Sequence, residues 1–255
     1  MKEKLTIVKV GGKIVEDPET LSVLLADFAK IEGRKILVHG GGRSATRMSE
    51  RLGIPTKMVD GRRITDDDTL RVVTMVYGGL VNKTIVAMLQ SESINAVGLT
   101  GADMNIVRSD KRPVRAIDYG WVGDVRAVDG KAIATLVENG YCPVVAPLTH
   151  DGKGHLLNTN ADTMAAAVAM EASKTYDVSL MFCFEKKGVL DAEGNVITSI
   201  TPTLYKQLKA DGTIADGMIP KLDNAFECIA SGVTSVFITE STQIADPAAG
   251  TRICF

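Results

Sequence analysis

Short apolar runs alternate with segments of helical periodicity along most of this chain. The run LTIVKV is followed by a segment at residues 18–31 whose leucines recur at helical spacing, and then by the run KILVH. Further apolar runs occupy residues 94–100, 141–147 and 176–184. Continuously apolar strands are typical of a parallel sheet covered on both faces. The sequence therefore predicts an α/β fold, with helices on both sides of a mainly parallel sheet.

The composition is typical of a globular protein and argues against nucleic-acid-binding and membrane-spanning proteins. The 255 residues carry a net charge of −2 and 45% apolar side chains, which is ordinary for a globular protein and offers no basic surface for nucleic acid. No uninterrupted apolar run approaches the roughly 20 residues of a membrane span. The four cysteines include no CxxC pair, and the three histidines show no metal-binding spacing. We therefore expect a cytoplasmic protein with no protein-bound metal that binds neither nucleic acid nor membrane.

Two glycine-rich turns follow the first two predicted strands. Lys9 lies inside the first strand, with Gly11 and Gly12 directly after it, and the second turn contains Gly41 and Gly42 before a predicted helix. Glycine lets backbone N–H groups approach a phosphate, and a helix N-terminus adds a favourable dipole. Because ligands of open α/β sheets bind beyond the carboxyl ends of strands, we expect both turns to border one phosphate site.

The second turn also allows another interpretation. It matches the dinucleotide fingerprint GxGxxA through Gly40, Gly42 and Ala45, and Asp60 follows about 20 residues later. An NAD-dependent oxidoreductase is therefore one alternative. Two other polar segments favour a polyphosphate ligand: LNTNAD at a helix start, and DGMIPK, which places Lys221 in a first helical turn. A cation opposes the helix dipole there, so an anionic group should compensate it.

A series of short motifs follows in order between residues 5 and 253: KVGGK, VHGGG, DGRRITDDDTL, AVGLTGAD, GWVGDV, LNTNADTMA, DGMIPK and GTRI. Together they resemble the amino acid kinase family, and within it the enzymes that phosphorylate N-acylglutamates. The resemblance implies one domain over residues 1–255, a three-layer αβα sandwich with an open, mainly parallel sheet of roughly eight strands. It also implies an acylamino acid-binding and dimerising lobe over residues 1–172 and an ATP-binding lobe over residues 173–255.

The resemblance assigns catalytic roles to three residues. Lys9 would reach the transferring phosphoryl group, Lys221 would pair with the nucleotide phosphates, and Asp162 would hold the two lysines in place. Gly11 and Gly12 would form the turn that cradles the nucleotide phosphates.

The resemblance assigns substrate binding to four other residues. Gly41 and Gly42 would form the second turn, which also borders the acyl substrate. Arg63 would grip a substrate carboxylate, a task that suits the bidentate guanidinium fork. Asn158 would contact the substrate as well.

The implied activity is transfer of a phosphoryl group from ATP to the γ-carboxylate of an N-acylglutamate, N-acetyl-L-glutamate, in the second step of arginine biosynthesis. Such a carboxylate has a pKa of about 4.3 and is already a nucleophile at neutral pH, so no general base is required. Mg²⁺ would be held mainly by the ATP phosphates. Carbamate, aspartate and uridylate kinases of the same family are alternatives, as is an inactive nucleotide sensor.

Two segments depart from the family pattern. Arg43 follows the second glycine turn in place of the usual proline. It could meet a second carboxylate, as in an N-succinyl rather than an N-acetyl substrate. The segment CFEKKGVL at residues 183–190 replaces the usual nucleotide-binding stretch, which leaves Glu185, Lys186 and Lys187 as nucleotide contacts or as solvated charges.

The segment at residues 66–89 predicts a long helix that is apolar on more than one face. Thr65 is its predicted N-cap, ahead of three aspartates that suit the positive end of the dipole. The second apolar face either packs within the chain or meets another subunit. Arginine-inhibited family members carry an extra N-terminal helix that builds a hexamer, whereas only a few residues precede the first strand here. We therefore expect a homodimer through this helix, without arginine feedback.

Overall fold

The computed structural model describes residues 2–59, 61–214, 218–246 and 250–255. The strands are β1 Lys4–Val10, β2 Arg34–His39, β3 Met58–Val59, β4 Arg62–Arg63, β5 Ala96–Leu99, β6 Val107–Lys111, β7 Gly123–Val128, β8 Cys142–Val145, β9 Leu148–His150, β10 Leu156–Asn158, β11 Asp177–Phe184, β12 Ser199–Ile200, β13 Ser235–Glu240 and β14 Thr251–Ile253. The helices are α1 Gly12–Glu16, α2 Pro18–Lys30, α3 Gly42–Arg51, α4 Asp67–Val73, α5 Asn82–Ser91, α6 Gly130–Glu138, α7 Ala161–Ala172, α8 Pro202–Ala210 and α9 Ile219–Ala230.

An eight-stranded sheet forms the centre of the molecule, in the order β12-β14-β13-β11-β1-β2-β8-β5. Its paired neighbours run parallel except for β13 with β14. Helices α6 to α9 pack on one face and α1 to α5 on the other. This arrangement confirms the predicted three-layer αβα sandwich. A smaller sheet, β10-β9-β6-β7, and the hairpin of β3 and β4 lie outside these layers.

Strand β1 shows how alternation distributes side chains between the two helical layers. Leu5 and Ile7 pack in the cluster that contains α7, whereas Val8 and Val10 pack in the cluster that contains α2. Successive side chains of a strand point to opposite faces. Lys9 therefore shares the face of Leu5 and Ile7 and points toward the α7 layer, where it is 5% exposed.

The long helix predicted at residues 66–89 runs from Asp67 to Ser91 and contains a π-helical segment, Thr74–Val81, between α4 and α5. Such π segments occur frequently at functional sites. Here the segment places Tyr77 against the second glycine turn, since a Cβ atom at Gly41 would lie 2.9 Å from the Tyr77 ring. The π segment therefore couples this helix to the turn.

By length and composition alone, this helix could cross a membrane, but 44% of its most apolar 18-residue window is buried inside the protein. The core helix of a globular protein passes the same test. On its other side Met75 and Leu80 are 56% and 57% exposed. Most apolar positions of the helix, including Val76, Val81 and Ile85, are buried within the chain, and Met75 and Leu80 are the large apolar side chains that it leaves exposed in this described segment.

Asp66, and not Thr65, caps this helix. The Asp66 carboxylate accepts a hydrogen bond from the Thr69 N–H at 2.8 Å. The Thr65 hydroxyl instead donates to the Arg63 carbonyl at 3.0 Å, and Thr65 forms a bridge to Gly120. The predicted cap was wrong because these contacts turn the Thr65 side chain away from the helix.

Several short elements lie outside the sequence expectations. At one edge of the large sheet, β14 and β12 lie beyond β13, and neither of these short strands was predicted. Helix α6 was not predicted, although Asp129 caps it by accepting from the N–H groups of Lys131 and Ala132. The division into two lobes near residue 172 stays a prediction.

Candidate active site

The two glycine turns face each other at the carboxyl ends of β1 and β2. Val10 lies opposite His39 in the parallel pairing of these strands, so both strands end at the same edge. A Cβ atom at Gly12 would lie 3.6 Å from the backbone nitrogens of both Gly41 and Gly42. The absence of a side chain at Gly12 therefore leaves the space open in which backbone N–H groups can approach an anionic ligand.

The two turns contribute in different ways. Gly41 is the N-cap of α3 and Gly42 its first residue, so this turn adds the positive end of a helix dipole. The Gly11 N–H already donates to the Cys183 carbonyl at 3.1 Å. Gly11 therefore anchors the first turn to β11. Gly12 is the residue of the first turn that faces the second turn.

Two lysines from distant parts of the chain converge on one aromatic ring. Lys9 Nζ lies 4.8 Å and Lys221 Nζ 3.5 Å from the centroid of the Phe184 ring. Asp162, in the first turn of α7, places its Oδ1 2.7 Å from Lys9 Nζ. The structure thus brings Lys9, Asp162 and Lys221 together, while their catalytic roles stay predictions.

The charges of this cluster influence one another. Burial lowers the pKa of Lys221, the Asp162 carboxylate raises it, and the Lys9 ammonium lowers it again. The side chains of Lys9 and Asp162 are only 7% and 14% exposed, so solvent and salt screen their ion pair weakly. A carboxylate beside two ammonium groups offsets their mutual repulsion. The cluster therefore offers two pre-positioned cations to a polyphosphate.

Phe184 is a site residue that the sequence reasoning missed. It ends β11, next to β1 in the sheet, and its ring attracts both ammonium groups through its negative face. The signal in the sequence was an aromatic residue at the carboxyl end of a strand, inside the atypical segment CFEKKGVL.

A cleft of about 170 Å³ adjoins the second glycine turn, and the predicted substrate residues Gly41, Gly42, Arg63 and Asn158 all line it. Arg63 is 7% exposed. Its Nη2 donates to the Gly42 carbonyl at 2.7 Å and to Thr46 Oγ1 at 2.9 Å. Its Nη1 donates to Thr56 Oγ1 at 3.3 Å. These bonds hold the guanidinium at the edge of the turn and leave one N–H of Nη1 and the N–H of Nε for a carboxylate.

Arg43 does not line this cleft. Its side chain lies in a separate groove together with Lys13, Arg47 and Glu185. The expectation that Arg43 meets a carboxylate of the acyl substrate is therefore wrong. As the second residue of α3, it points away from the cleft that Gly42, one position earlier, borders.

A second cavity of about 490 Å³ opens beside Lys221. Phe184, Glu185 and Lys186 line it, and Leu190 and Met218 contribute apolar walls suited to a nucleotide base. Glu185 also forms an ion pair with Lys13 at 3.5 Å. In DGMIPK, residues 216 and 217 lie outside the described part of the chain, as does Asp60 of the dinucleotide pattern.

Buried His39 precedes the second glycine turn and stabilises it. Its Nδ1 lies 2.7 Å from the Gly40 carbonyl and its Nε2 3.2 Å from Asn82 Nδ2. These partners require a neutral ring that donates from Nδ1 and accepts at Nε2. Burial lowers the pKa of His39 to about 4, and the nearby Lys83 contributes in the same direction.

We expect His39 to make stability depend on pH. Between the pKa of about 4 in the folded protein and the ordinary value of about 6.5, the unfolded chain binds more protons than the folded one. The free energy of unfolding should therefore fall as the pH drops through this range, by about 3 kcal/mol in total.

Denaturant unfolding at several pH values checks this expectation, with His39→Gln as the comparison. The variant should be less stable at neutral pH and should have a shallower pH dependence below it. An imidazole of His39 that titrates near its ordinary pKa, followed by NMR, would contradict the proposed neutral ring.

Known proteins resemble this chain in sequence and in fold. A model of the amino acid kinase family matches residues 4–240. The acetylglutamate kinase of Bacteroides thetaiotaomicron is 60% identical, and the match covers 99% of each chain. A solved structure from Streptococcus mutans has a TM-score of 0.80 and 29% identity, with 98% of each chain covered.

The N-acetylglutamate synthase of Neisseria gonorrhoeae, solved with coenzyme A and N-acetyl-glutamate, shares the fold with a TM-score of 0.86 at 20% identity. All of this chain is covered in that comparison, but it spans 60% of the synthase chain. The family match, the full-length relative and the shared fold lead to one conclusion. This chain belongs to the amino acid kinase family.

Proposed function

We propose that this protein transfers the γ-phosphoryl group of ATP to the γ-carboxylate of an N-acyl-L-glutamate, with N-acetyl-L-glutamate as the reference acceptor, in arginine biosynthesis. The observation that carries the proposal is the convergence of Lys9, Asp162 and Lys221 beside two facing glycine turns. The acetylglutamate kinase relative, aligned over 99% of both chains, supports the identity of the acceptor.

The reaction needs alignment and charge neutralisation more than proton transfer. A γ-carboxylate oxygen forms a bond to the γ-phosphorus, the bond to the bridging oxygen breaks, and ADP leaves with the electron pair. Lys9 stabilises the charge on the moving phosphoryl group, and Lys221 stabilises the charge on the ADP phosphates. Gly12, Gly41 and Gly42 contribute backbone N–H groups without steric obstruction. Arg63 holds the acceptor by a second carboxylate.

Mg²⁺ fits this site as a companion of ATP. Within the described residues, no group of three or more His, Cys, Asp and Glu side chains could hold a metal ion. The phosphates themselves would therefore supply most of its ligands, and it would neutralise charge on the β- and γ-oxygens.

A coupled assay of ADP release tests the proposal directly. With Mg–ATP, N-acetyl-L-glutamate should support turnover, whereas free glutamate, aspartate, carbamate and UMP should not. Faster turnover with one of the latter compounds would assign the chain to another activity of the family. ATP binding without turnover on any acceptor would favour the nucleotide sensor.

We also propose a homodimer that forms through the helix from Asp67 to Ser91. Its uncovered side carries Met75 and Leu80, both more than half exposed. Exposed apolar side chains on one helix can pack against the same side chains of a second copy around a twofold axis.

Leu80→Glu should shift the protein from dimer to monomer, because it places charge in an apolar interface. Light scattering measures the mass. The control is Phe255→Glu, since Phe255 is 71% exposed and contacts Phe226 of α9 rather than the long helix. A dimer that survives Leu80→Glu, or a hexamer in the wild type, would contradict the interface.

A cytoplasmic location is part of the proposal. Cys142, Cys183 and Cys228 are buried free thiols, which is typical of a reducing compartment.

A further inference from the structure

Strand β4 consists of two arginines that reach different sides of one cleft. Arg62 and Arg63 both line the cleft beside the second glycine turn. Successive side chains of a strand point in opposite directions. Arg63 bonds to the Gly42 carbonyl, whereas the charged neighbours of Arg62 are Arg112 and Asp124. The cleft therefore has one guanidinium beside the glycine turn and another on the side of β6 and β7.

Arg62 differs from Arg63 and Arg112, whose guanidinium groups both donate hydrogen bonds. Across the described ranges, neither a hydrogen bond nor an ion pair engages its half-buried guanidinium. Asp124, the acid near it, is already held by Arg112, whose Nε lies 3.2 Å and 3.1 Å from the two carboxylate oxygens. Burial lowers the pKa of Arg62 and the positive charge of Arg112 lowers it further, whereas Asp124 and Tyr119 raise it.

Because Asp124 already pairs with Arg112, it compensates the charge of Arg62 only in part, and an anionic ligand in the cleft would supply the remaining counter-charge. Arg62 faces the cleft, so an anionic group of the bound acceptor can reach it. Val122 lines the same cleft and offers an apolar surface. This part of the cleft therefore suits a short aliphatic chain that ends in a negative charge.

The carboxylates of the acceptor can be assigned in turn, on the basis of the proposed function. The γ-carboxylate must lie at the glycine turns and the lysines, because it receives the phosphoryl group. Arg63 then binds the α-carboxylate. N-acetylglutamate has no third anionic group, and its acetyl methyl would leave Arg62 unpaired.

We propose that Arg62 binds a carboxylate on the acyl group, so that the preferred acceptor is an N-acylglutamate whose acyl chain is a dicarboxylic acid monoamide, such as N-succinyl-L-glutamate. The transfer chemistry is unchanged, since the additional carboxylate lies across the cleft from the glycine turn and is not phosphorylated. Arg62 is thus a specificity-determining residue.

The first test compares three acceptors with the wild-type protein and Mg–ATP: N-succinyl-, N-succinamyl- and N-acetyl-L-glutamate. The succinamyl compound is the neutral isostere of the succinyl compound. A charge-assisted hydrogen bond should raise kcat/KM for N-succinyl-L-glutamate about tenfold to a hundredfold above both neutral acyl groups. Equal values for all three would overturn the proposal.

The second test uses the ratio of the two kcat/KM values, succinyl to acetyl, which does not depend on the fraction of folded protein. Arg62→Leu should reduce this ratio at least about tenfold. The control Arg43→Gln should leave the ratio unchanged, because Arg43 lies outside the cleft. An equal loss with both acceptors in Arg62→Leu would mean that Arg62 binds the shared α-carboxylate, and would overturn the proposal.

The outcomes separate this inference from the proposed function. Turnover of N-acetyl-L-glutamate without preference for the succinyl compound would overturn only the role of Arg62 in acyl specificity. Absence of ADP release with every N-acylglutamate would overturn both the role of Arg62 and the proposed kinase activity.

Discussion

Replacing Lys9 with methionine should lower kcat about 10²- to 10³-fold, because the change removes one pre-positioned donor from the charge that develops on the transferring phosphoryl group. Methionine is close in length to lysine and apolar, so it suits a strand whose neighbouring positions are fully buried. The substitution leaves Asp162 without its ion pair, but Lys221 remains near the carboxylate. The protein should therefore stay folded and bind ATP.

Lys35→Met is the matched control for this variant. Lys35 is also a buried strand lysine, 9% exposed, but its Nζ donates to the carbonyls of Ala29 and Ile31 at 2.7 Å each. It satisfies the end of α2 and lies outside the cluster around Phe184. Its loss should cost about 1–3 kcal/mol of stability and leave kcat unchanged.

Steady-state kinetics and thermal unfolding of the two variants distinguish the roles. Near-normal kcat in Lys9→Met would refute its contact with the phosphoryl group. A kcat loss in Lys35→Met equal to that of Lys9→Met would mean that both act through the fold.

The apolar pattern of the sequence was sufficient for the layers, whereas the convergence of Lys9 and Lys221 was expected from the family resemblance. Continuous apolar runs predicted parallel strands, and parallel strands bring their carboxyl ends to one edge. The alternation along β1 then determines which layer Lys9 faces. These features depend on backbone periodicity, which the order of residues displays directly.

Side-chain direction in short elements could not be predicted in the same way. Arg62 and Arg63 are adjacent, and only the hairpin of β3 and β4 determines which one bonds to the Gly42 carbonyl. Arg43 was assigned to the acyl substrate from its neighbours in sequence, but the turn into α3 directs it to another groove. Phe184 contacts Lys9 only through the pairing of β11 with β1. Each of these directions depends on tertiary contacts that no local pattern encodes.

Gly12→Ala should reduce kcat/KM for ATP by at least about 10²-fold, because the added methyl group occupies the space between the two glycine turns. The alanine Cβ atom would lie 3.6 Å from the Gly41 and Gly42 nitrogens, which is ordinary van der Waals contact. The fold can therefore accept alanine, whereas a phosphate oxygen cannot share the position.

Gly79→Ala is the control for the added methyl group, since a Cβ atom there meets nothing within 4 Å in the single chain; light scattering checks that the variant keeps the wild-type mass, because Gly79 lies on the proposed dimer helix. Kinetics with varied ATP, together with melting temperatures, should show both variants folded and only Gly12→Ala impaired. A Gly12→Ala protein with normal kcat/KM would mean that the phosphates do not enter between the turns, and the roles of Lys9 and Lys221 would then have no common ligand. The open space at Gly12 is therefore the steric condition on which the electrostatic mechanism depends.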